Sequence, residues 1–365
     1  MRRKSDPSHA ETDQILAGLE GKISKEYEKA EREVAEKLQK HLSDFAVKEK
    51  RKLAEVNAGN LTQAEFDQWR VGQIMIGERW EEMRATLAQD LHNANRLARS
   101  MVNGHMPEVY AINHNYGTFL AEKGSLLDTS YTLYDRQTVE RLMRDNPDLL
   151  KPPGKQMKQT FGEFDAYKRG EAVKITPKKK RAFDKLIREN KDIRWQAGKI
   201  QSVTLQSILQ GESIPNMCRR IAREMGEINK AATTRYARTA TTAAENAGRI
   251  DSFKRADEMG IDMKQMWIAT LDDRTRHEHR VLDGQIRPVG EPFEVEGYKI
   301  AYPGDPDAEA FLVYNCRCTL GAVVAGTRLA EKGLESMERV PGYQEASYEE
   351  WKGMHEEPGT KARAY

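Results

Sequence analysis

Apolar residues recur at every third or fourth position through the first hundred residues, which is the period of an amphipathic helix. Within residues 19–56 the apolar face consists of Ile23, Tyr27, Ala30, Val34, Leu38, Leu42 and Phe45. Oppositely charged pairs four residues apart, such as Glu28 with Arg32, lie on the other face and support a helix. We expect the apolar face to pack against the next helix or to dock on another subunit of an assembly.

A second long helix is predicted after a break at residues 57–61. Thr62 and Glu65 form a capping box, in which each side chain accepts a hydrogen bond from the backbone of the other residue. The face that follows consists of Phe66, Trp69, Gln73, Ile76, Trp80, Met83, Leu87 and Leu91. We expect this helix to lie antiparallel to the first, with both tryptophans in the core.

Shorter segments follow residue 107. The pattern predicts a small helix at Thr138–Met143 and a boundary at Pro152-Pro153-Gly154. Helices at residues 193–209 and 213–228 come next, and the second places Cys218 on a buried face, as an inert apolar residue. A helix rich in Ala and Thr is predicted at 231–249, and Gly248 and Gly260 enclose one more helix at 250–259.

The polar side chains of the 231–249 helix share one side, where we expect them to hydrogen-bond to the loops that follow. They are Arg235, Arg238, Thr242, Glu245, Asn246 and Arg249. Those loops belong to the stretch from Trp267 to Val324, which contains two of the three cysteines and two of the eight histidines. This stretch is rich in turn-forming residues, so a long helix is not expected there.

Short apolar segments in the Trp267–Val324 stretch predict strands. We expect one strand at 265–270, one or two around a turn at Glu296-Gly297, and a last one at 319–324. Thr275 and Glu278 resemble a second capping box, opening a two-turn helix that ends at Asp283-Gly284, where Gly284 can take positive φ. The fold class is therefore mainly α, with a small C-terminal α+β domain that contains an antiparallel sheet.

The predicted domains follow the order of the chain. They are an N-terminal helical region at 1–150, which would serve in assembly and docking, a helical connector at 151–230, the α+β domain at 231–330 and a tail at 331–365. The length of 365 residues agrees with two or three folded units. We expect a chain that begins near Ile193 to fold by itself.

The charge composition argues against a general DNA-binding protein. Its 59 basic and 57 acidic side chains leave a net charge of +2, which favours ion-paired helical surfaces over a uniformly positive field. A mean hydropathy of -0.78 with 38% hydrophobic residues still permits folded helical layers. No apolar run approaches the roughly 20 residues of a membrane span, and the N-terminus lacks the apolar core of a signal peptide.

One segment is strongly basic. Residues 174–185 include Lys178-Lys179-Lys180-Arg181, which could contact the phosphates of packaged DNA. The same run can instead be the solvated start of a helix after Pro177, because Phe183, Leu186 and Ile187 follow at helical spacing.

Five pieces of the C-terminal stretch, in order, resemble the signature of phage Mu protein F and related phage minor head proteins. They read W-x-A-T-x-D-x-R-T-R-x-x-H-x-x-L-D-G-Q, P-F, Y-P-G-D-P and N-C-R-C, after an A-R-T-x-T helix, and cover roughly residues 200–325. The matching signature positions are Trp267, Asp273, Arg274, Thr275, Arg276, His279, Asp283, Gly284, Pro303, Gly304, Asp305, Asn315, Cys316, Arg317 and Cys318.

The resemblance implies a phage minor head protein that has a structural role in head morphogenesis. Such a protein would associate with the portal or the inner capsid, with the portal or major capsid protein as its partner, and would aid assembly and DNA packaging or ejection. It would be found in the host cytoplasm during assembly and then inside the virion. Neither a membrane nor a small-molecule substrate is expected.

The alternative is an enzyme, a metal-dependent nuclease or hydrolase built on the same His and Cys residues. His277 and His279 are two positions apart on different helix faces, so they do not form the H-E-x-x-H motif of metalloproteases. No spacing rule supports a thiol hydrolase built from His279 with Cys316 or Cys318. Asp272 and Asp273 are explained as negative charge at a helix N-terminus. We therefore expect no catalytic residues.

The resemblance also implies a set of Cys and His residues that would form a four-ligand zinc site in some relatives. Two of those positions are occupied here by Arg276 and Val313, which cannot bind metal. If a zinc site exists, its ligands are His279, Cys316 and Cys318, with His277 as a stand-in. We expect instead no metal and no cofactor. Arg276 would form a salt bridge to Asp305 or Asp272, and His279 would hydrogen-bond to backbone or Asp283.

Overall fold

The computed structural model describes residues 6–75, 77–151, 191–328 and 337–356. Its helices are α1 Pro7–Asn57, α2 Gln63–Ile74, α3 Glu78–Ser125, α4 Arg136–Asp145, α5 Lys191–Leu209, α6 Ile214–Glu258, α7 His277–Leu282, α8 Ala310–Val313 and α9 Tyr348–Glu356, with a 3-10 turn at Pro341–Gln344. The strands are β1 Ile261–Ile268, β2 Ile286–Pro288, β3 Phe293–Val295, β4 Tyr298–Ile300 and β5 Thr319–Thr327. The predicted fold class is confirmed.

The described residues divide into two compact units, whose boundaries fall inside α1, α3 and α6. The helical unit contains the described residues of Gly21–Arg99 and Lys158–Thr233, and the signature unit contains those of Met1–Glu20, Ser100–Met157 and Thr234–Tyr365. Each unit therefore joins segments that are distant in sequence. The linear boundaries expected from the sequence stay a prediction, and Pro152-Pro153-Gly154 and Lys178–Arg181 lie outside the described residues.

The core of the helical unit consists of the apolar faces that the sequence predicts. Residues such as Leu38 of α1, Leu87 of α3 and Ile221 of α6 are fully buried in one cluster. Every residue of the predicted α1 face, from Ile23 to Phe45, is buried. Packing within the chain, rather than docking on another subunit, therefore accounts for this face.

The second predicted helix is interrupted. The capping box is confirmed, since Glu65 N–H donates to Thr62 Oγ1 over 3.2 Å and Thr62 N–H donates to Glu65 Oε2 over 2.9 Å. A single helix through Trp80 is wrong, because α2 ends at Ile74 and α3 begins at Glu78. Gly77, at φ 105°, takes a left-handed backbone conformation that no helix contains.

Two other helices are longer than predicted. α3 continues through Pro107, although proline removes one helical hydrogen bond, and the apolar residues Met106 and Val109 beside it are buried. α6 continues through Gly248, which the sequence analysis placed at a helix end. A side chain at Gly248 would collide with the backbone carbonyl of Tyr110 in α3, so this glycine permits a close helix-helix approach.

The signature unit contains two antiparallel sheets. In the larger one the order is β2-β1-β5, with Trp267 paired to Leu320 and Gln265 paired to Arg287. β3 and β4 form a hairpin whose turn is Glu296-Gly297, as predicted, with both residues at positive φ. No helix of the described residues is long and apolar enough to cross a membrane.

Candidate functional site

The segment from Asn315 to Leu320 carries the signature cysteines and is bound along one side of α6. Thr242 Oγ1 donates to the Cys316 carbonyl over 2.7 Å. Asn246 binds twice, donating to the Cys318 carbonyl over 3.3 Å and accepting from Leu320 N–H over 2.8 Å. The hydrogen bonds expected between this helix and the loops are therefore present, and they fix the backbone on which both thiols sit.

Arg249 lies one turn further along α6 and is fully buried. Its guanidinium donates to the Leu320 carbonyl over 2.7 Å and to Asn113 Oδ1 of α3 over 3.0 Å. It also binds the start of α1, through Asp6 Oδ2 and Ser8 Oγ, each at 2.7 Å. Burial alone would raise the pKa of Asp6, but the charge and hydrogen bond of Arg249 hold that pKa below its usual value.

A second contact joins α1 to α6. His9 Nδ1 lies 2.9 Å from Glu245 Oε1, and Thr319 Oγ1 donates to the same oxygen over 2.6 Å. Burial alone would lower the pKa of His9, but the charge of Glu245 and its hydrogen bond raise the pKa to about 9. Asp6, Ser8 and His9 were not predicted as site residues, because their signal in the sequence is limited to an Asp-x-Ser-His string in a segment poor in apolar residues.

Three signature side chains converge in the interior. His279 Nδ1 lies 3.2 Å from Cys318 Sγ and 3.6 Å from Cys316 Sγ. The three side-chain atoms all lie within 4.8 Å of one another, and each residue is at most 3% exposed. Trp267 packs edge-on against the imidazole, with ring centroids 5.8 Å apart. We call His279, Cys316 and Cys318 the thiol-imidazole cluster.

The two thiols of this cluster differ in acidity. A hydrogen bond from Cys316, and then the neighbouring His279, lower the pKa of Cys318 to about 5 despite its burial. Burial, and then the hydrogen bond and negative charge of Cys318, raise the pKa of Cys316 well above its usual range. Cys318 is therefore the more acidic of the two thiols, and it lies next to an imidazole.

Arg276 contacts the cluster from the other side of His279. Its Nη1 lies 3.3 Å from His279 Nε2, and its Nη2 donates to the Tyr314 carbonyl. The expected salt bridge from Arg276 to Asp305 or Asp272 is wrong. Asp272 is bound by Arg317 in a bidentate pair at 2.6 and 2.7 Å, while Asp305 accepts from backbone N–H groups in its own loop.

The bidentate pair with Arg317 also gives Asp272 a structural role before α7. The hydrogen bonds from Arg317 hold the pKa of Asp272 far below its usual value. Asp272 accepts from Arg274 N–H over 2.9 Å, so it stabilises the turn before the helix. The predicted capping box at Thr275 is wrong, because the helix N-cap is Arg276 and Thr275 instead binds the Thr270 carbonyl.

Other signature residues stabilise turns. Asp283 Oδ1 accepts from Ala269 N–H over 2.8 Å, and Gly284, at φ 79°, donates to the Trp267 carbonyl over 2.8 Å. Gly304, which follows Pro303, takes a φ of 84° directly against the backbone of Ala243 in α6. The positive φ expected at Gly284 is confirmed.

His277 stands apart from the thiol-imidazole cluster. Its side chain is 71% exposed and its Nε2 lies 3.6 Å from Glu296 Oε1. It cannot stand in as a ligand beside His279, as the opposite helix faces indicated. Arg274 is also exposed, at 79%, and Asp273 lies in the exposed turn before it.

A cleft of about 540 Å³ lies beside the thiol-imidazole cluster. Its walls include all three cluster residues, His9 of α1, and Arg238 and Glu245 of α6. The arrangement can bind a soft metal ion or stabilise a thiolate. The cleft beside it is large enough for several water molecules or a small ligand.

Comparison with known proteins gives a family match over part of the chain. Residues 198–321 match the model of the family described as Phage Mu protein F like protein. No solved structure matches.

Three relatives are similar over about 40% of this chain. The minor head protein GP7 of Bacillus phage SPP1 is 30% identical over 158 residues, which are 40% of this chain and 47% of that protein. An Enterococcus faecalis protein named NAD(+)--arginine ADP-ribosyltransferase EFV is 33% identical over 155 residues, 41% of this chain and 31% of that protein. An uncharacterized Haemophilus influenzae protein is 29% identical over 161 residues, 44% of this chain and 32% of that protein.

The chain thus spans between about a third and a half of the length of these relatives. The matched family region contains every residue of the thiol-imidazole cluster and all of α6. Residues 198–321 of this chain are therefore similar to the family described as Phage Mu protein F like protein, as the resemblance of the signature indicated.

Proposed function

We propose that this protein is a minor head protein of a phage capsid, with a structural role in head morphogenesis. The observation that carries the proposal is the family match at residues 198–321, joined by the likeness to the minor head protein GP7. The site supports a structural role as well, because signature residues such as Arg317, Asp283 and Gly304 are engaged in ion pairs, turns and close packing.

The proposed location is the interior of the virion, reached from the host cytoplasm during assembly, with the portal or the major capsid protein as the partner. The N-terminal helices would form the docking surface. Since the apolar face of α1 is buried in the chain, docking would use its charged outer face. Exposed basic residues of α1 include Lys25, Lys29, Arg32, Lys40, Lys48, Lys50 and Arg51.

The test begins with the phage that encodes the chain. We expect mass spectrometry to find the protein in purified proheads and virions, and a pull-down to recover it with the portal protein. Because the proposed surface is charged, the pull-down should weaken as salt rises. Presence in infected cells but absence from both particles would contradict the proposal.

Charge reversal tests the docking surface itself. A Lys29→Glu, Lys40→Glu double variant should be incorporated less into proheads, because both side chains are exposed on the outer face of α1. Lys299→Glu is the matched control, since this lysine is exposed on β4 of the signature unit. Equal incorporation of both variants would remove α1 from the docking surface.

An enzymatic role is the competing class. The activity named for the E. faecalis relative belongs to a protein of which this chain matches 31%. Incubation of the full chain with DNA and Mg²⁺, Mn²⁺ or Zn²⁺ should leave the DNA intact. Incubation with NAD⁺ and an arginine-containing acceptor should leave the NAD⁺ unconsumed. Turnover in either assay would replace the structural proposal.

DNA contact in the packaged head would use Lys178-Lys179-Lys180-Arg181. A gel-shift assay should then show binding that falls steeply with salt, since each phosphate contact releases counterions. Replacing the four residues by alanine should abolish the shift. An unchanged shift would assign any DNA contact to another part of the chain.

A further inference from the structure

We propose that the thiol-imidazole cluster, His279, Cys316 and Cys318, binds one Zn²⁺ with three protein ligands and a fourth position on the 540 Å³ cleft. This replaces the metal-free interpretation of the sequence. The inference concerns the fold of the signature unit and does not depend on the proposed role in the phage head.

The spacing of the three atoms agrees with zinc. Tetrahedral ligands at about 2.3 Å for sulfur and about 2.0 Å for nitrogen are separated by about 3.6 Å. His279 Nδ1 lies 3.6 Å from Cys316 Sγ and 3.2 Å from Cys318 Sγ, so the imidazole nitrogen faces both sulfurs at nearly the required separation. Two thiolates and an imidazole are a ligand set that selects zinc over Mg²⁺ or Ca²⁺.

The surrounding backbone holds the ligands in place before any metal binds. Cys318 N–H lies 3.4 Å from Cys316 Sγ and donates to it, which would stabilise a thiolate at that position. The carbonyls of both cysteines are bound to Thr242 and Asn246 of α6. The Cys-Arg-Cys segment is thus fixed on a long helix, and metal binding would require only a small adjustment of the His279 side chain.

A metal ion would connect the two segments that carry the ligands, which are α7 and residues 315–318. α7 has six residues and no side-chain cap at its N-terminus, so it has little stability of its own. Asn315, just before the cysteines, adopts a φ of 54°, a left-handed conformation that asparagine tolerates better than most other residues, so this position forms a turn. A zinc ion would join α7 to the 315–318 segment and stabilise both.

The fourth zinc ligand would come from the cleft. The sequence offers Arg276 and Val313 at the remaining signature positions, and neither side chain binds metal. Because the cleft is lined by all three cluster residues, water or an exogenous group can reach the open position. The proposed site is therefore a three-ligand zinc site whose last ligand is exchangeable.

The competing arrangement is a hydrogen-bonded chain without metal. In it, Arg276 Nη1 donates to His279 Nε2 over 3.3 Å, and His279 Nδ1–H donates to the Cys318 sulfur. Zinc on Nδ1 would place the proton on Nε2 and turn Arg276 Nη1 away, leaving its Nη2 on the Tyr314 carbonyl. Only the metal-free arrangement therefore depends on the contact between Arg276 and His279.

The experiment uses the full chain, purified without a polyhistidine tag. We expect elemental analysis to find about one zinc per chain, and replacement with Co²⁺ to give thiolate charge-transfer absorption with tetrahedral ligand-field bands. Chelation should lower the melting temperature by about 5 °C or more. Zinc far below one per chain, with no thiolate absorption on adding Co²⁺ to reduced protein, would overturn the proposal.

Matched variants identify the ligands. Cys316→Ser, Cys318→Ser and His279→Asn should each lose stoichiometric zinc. Cys218→Ser should keep it, since that buried cysteine lies in the helical unit. Arg276→Gln should also keep zinc and its chelation-dependent melting shift. Loss of the shift in Arg276→Gln, or retention of full zinc by Cys316→Ser, would contradict the assignment. The Co²⁺ spectrum of the unsubstituted protein remains decisive if a ligand variant fails to fold.

Discussion

The two units of this protein are stabilised by different kinds of interior. The helical unit buries a continuous apolar cluster that includes Leu38, Leu87 and Ile221. The helical unit also buries one arginine, Arg70, which pairs with Glu49. The signature unit has an apolar core too, but it buries more charged side chains, such as Arg249, Glu245 and Glu122. A buried ion must find its partners, whereas an apolar side chain needs only volume and shape. The signature unit is therefore the more sensitive of the two to missing segments.

The largest effect should come from truncation, and here the structure leads us to reverse the expectation from the sequence. A chain beginning near Ile193 lacks Asp6 and Ser8, which bind Arg249, and lacks Asn113 of α3. We expect it to show no cooperative melting, because the guanidinium would remain buried without those partners. Differential scanning calorimetry of the truncated and full chains checks this. A sharp transition in the truncated chain would establish 231–330 as an independent domain.

Arg249→Met should destabilise the signature unit by about 3–5 kcal/mol, the usual effect of breaking a buried ion pair from one side. Asp6 and Glu245 would be left near a neutral side chain. Hydrogen exchange measured by mass spectrometry should show faster exchange in β1 and β5. The control is Arg235→Met, an exposed arginine of the same helix, which should stay within about 0.5 kcal/mol. Equal exchange in both variants would contradict the role of Arg249.

The contrast between the units explains which parts of the fold the sequence could predict. Apolar spacing identified every buried residue of the α1 face from Ile23 to Phe45, because the period of a helix is a local property. The hairpin turn at Glu296-Gly297 and the positive φ of Gly284 after α7 were predictable for the same reason. The helix end predicted at Gly248 was wrong, and the break at Gly77 was not predicted. One glycine ends a helix by its backbone conformation and the other permits close packing, a difference that depends on tertiary contacts.

The site was predictable as a set of residues but not as a set of pairs. The sequence selected Asp272, Arg276 and Arg317, yet it assigned the salt bridge to Arg276, whereas the bidentate partner of Asp272 is Arg317. Partner choice depends on which loop lies opposite which, and no spacing rule contains that information. Asp6 and His9 were missed because their partners Arg249 and Glu245 lie more than two hundred residues away.

A core substitution in the helical unit tests how much its apolar cluster contributes to stability. Leu38→Ala should destabilise that unit by about 2–5 kcal/mol, because it leaves a cavity where a fully buried side chain was. Faster hydrogen exchange should appear in α1 between residues 34 and 45. Lys40→Ala, on the exposed face of the same helix, is the control and should change little. A Leu38→Ala effect below about 1 kcal/mol would show that this cluster is loosely packed.

The smallest effect should be the pH dependence that His9 gives to the signature unit. Its pKa is raised to about 9 by Glu245, against about 6.5 for an unfolded histidine. Because the pKa of His9 is higher in the folded state, protonated His9 makes its full contribution to the free energy of unfolding below pH 6.5. It is lost as the pH rises through about 9. Because the side chain is 27% exposed, solvent screening reduces the effect. We expect roughly 1–2 kcal/mol.

The measurement must separate His9 from every other group that titrates in the same window. Asp13, Glu245 and Arg249 all act on its charge, and the lowered pKa of Cys318 gives a stability change of the opposite sign. Comparison with His9→Gln removes these contributions, since they are common to both proteins. Urea unfolding at pH 6 and at pH 9.5 should therefore show the unsubstituted chain losing its advantage over His9→Gln as the pH rises. An advantage that stays constant would mean that His9 is neutral in the fold, and that the charge of His9 does not contribute to binding α1 to α6.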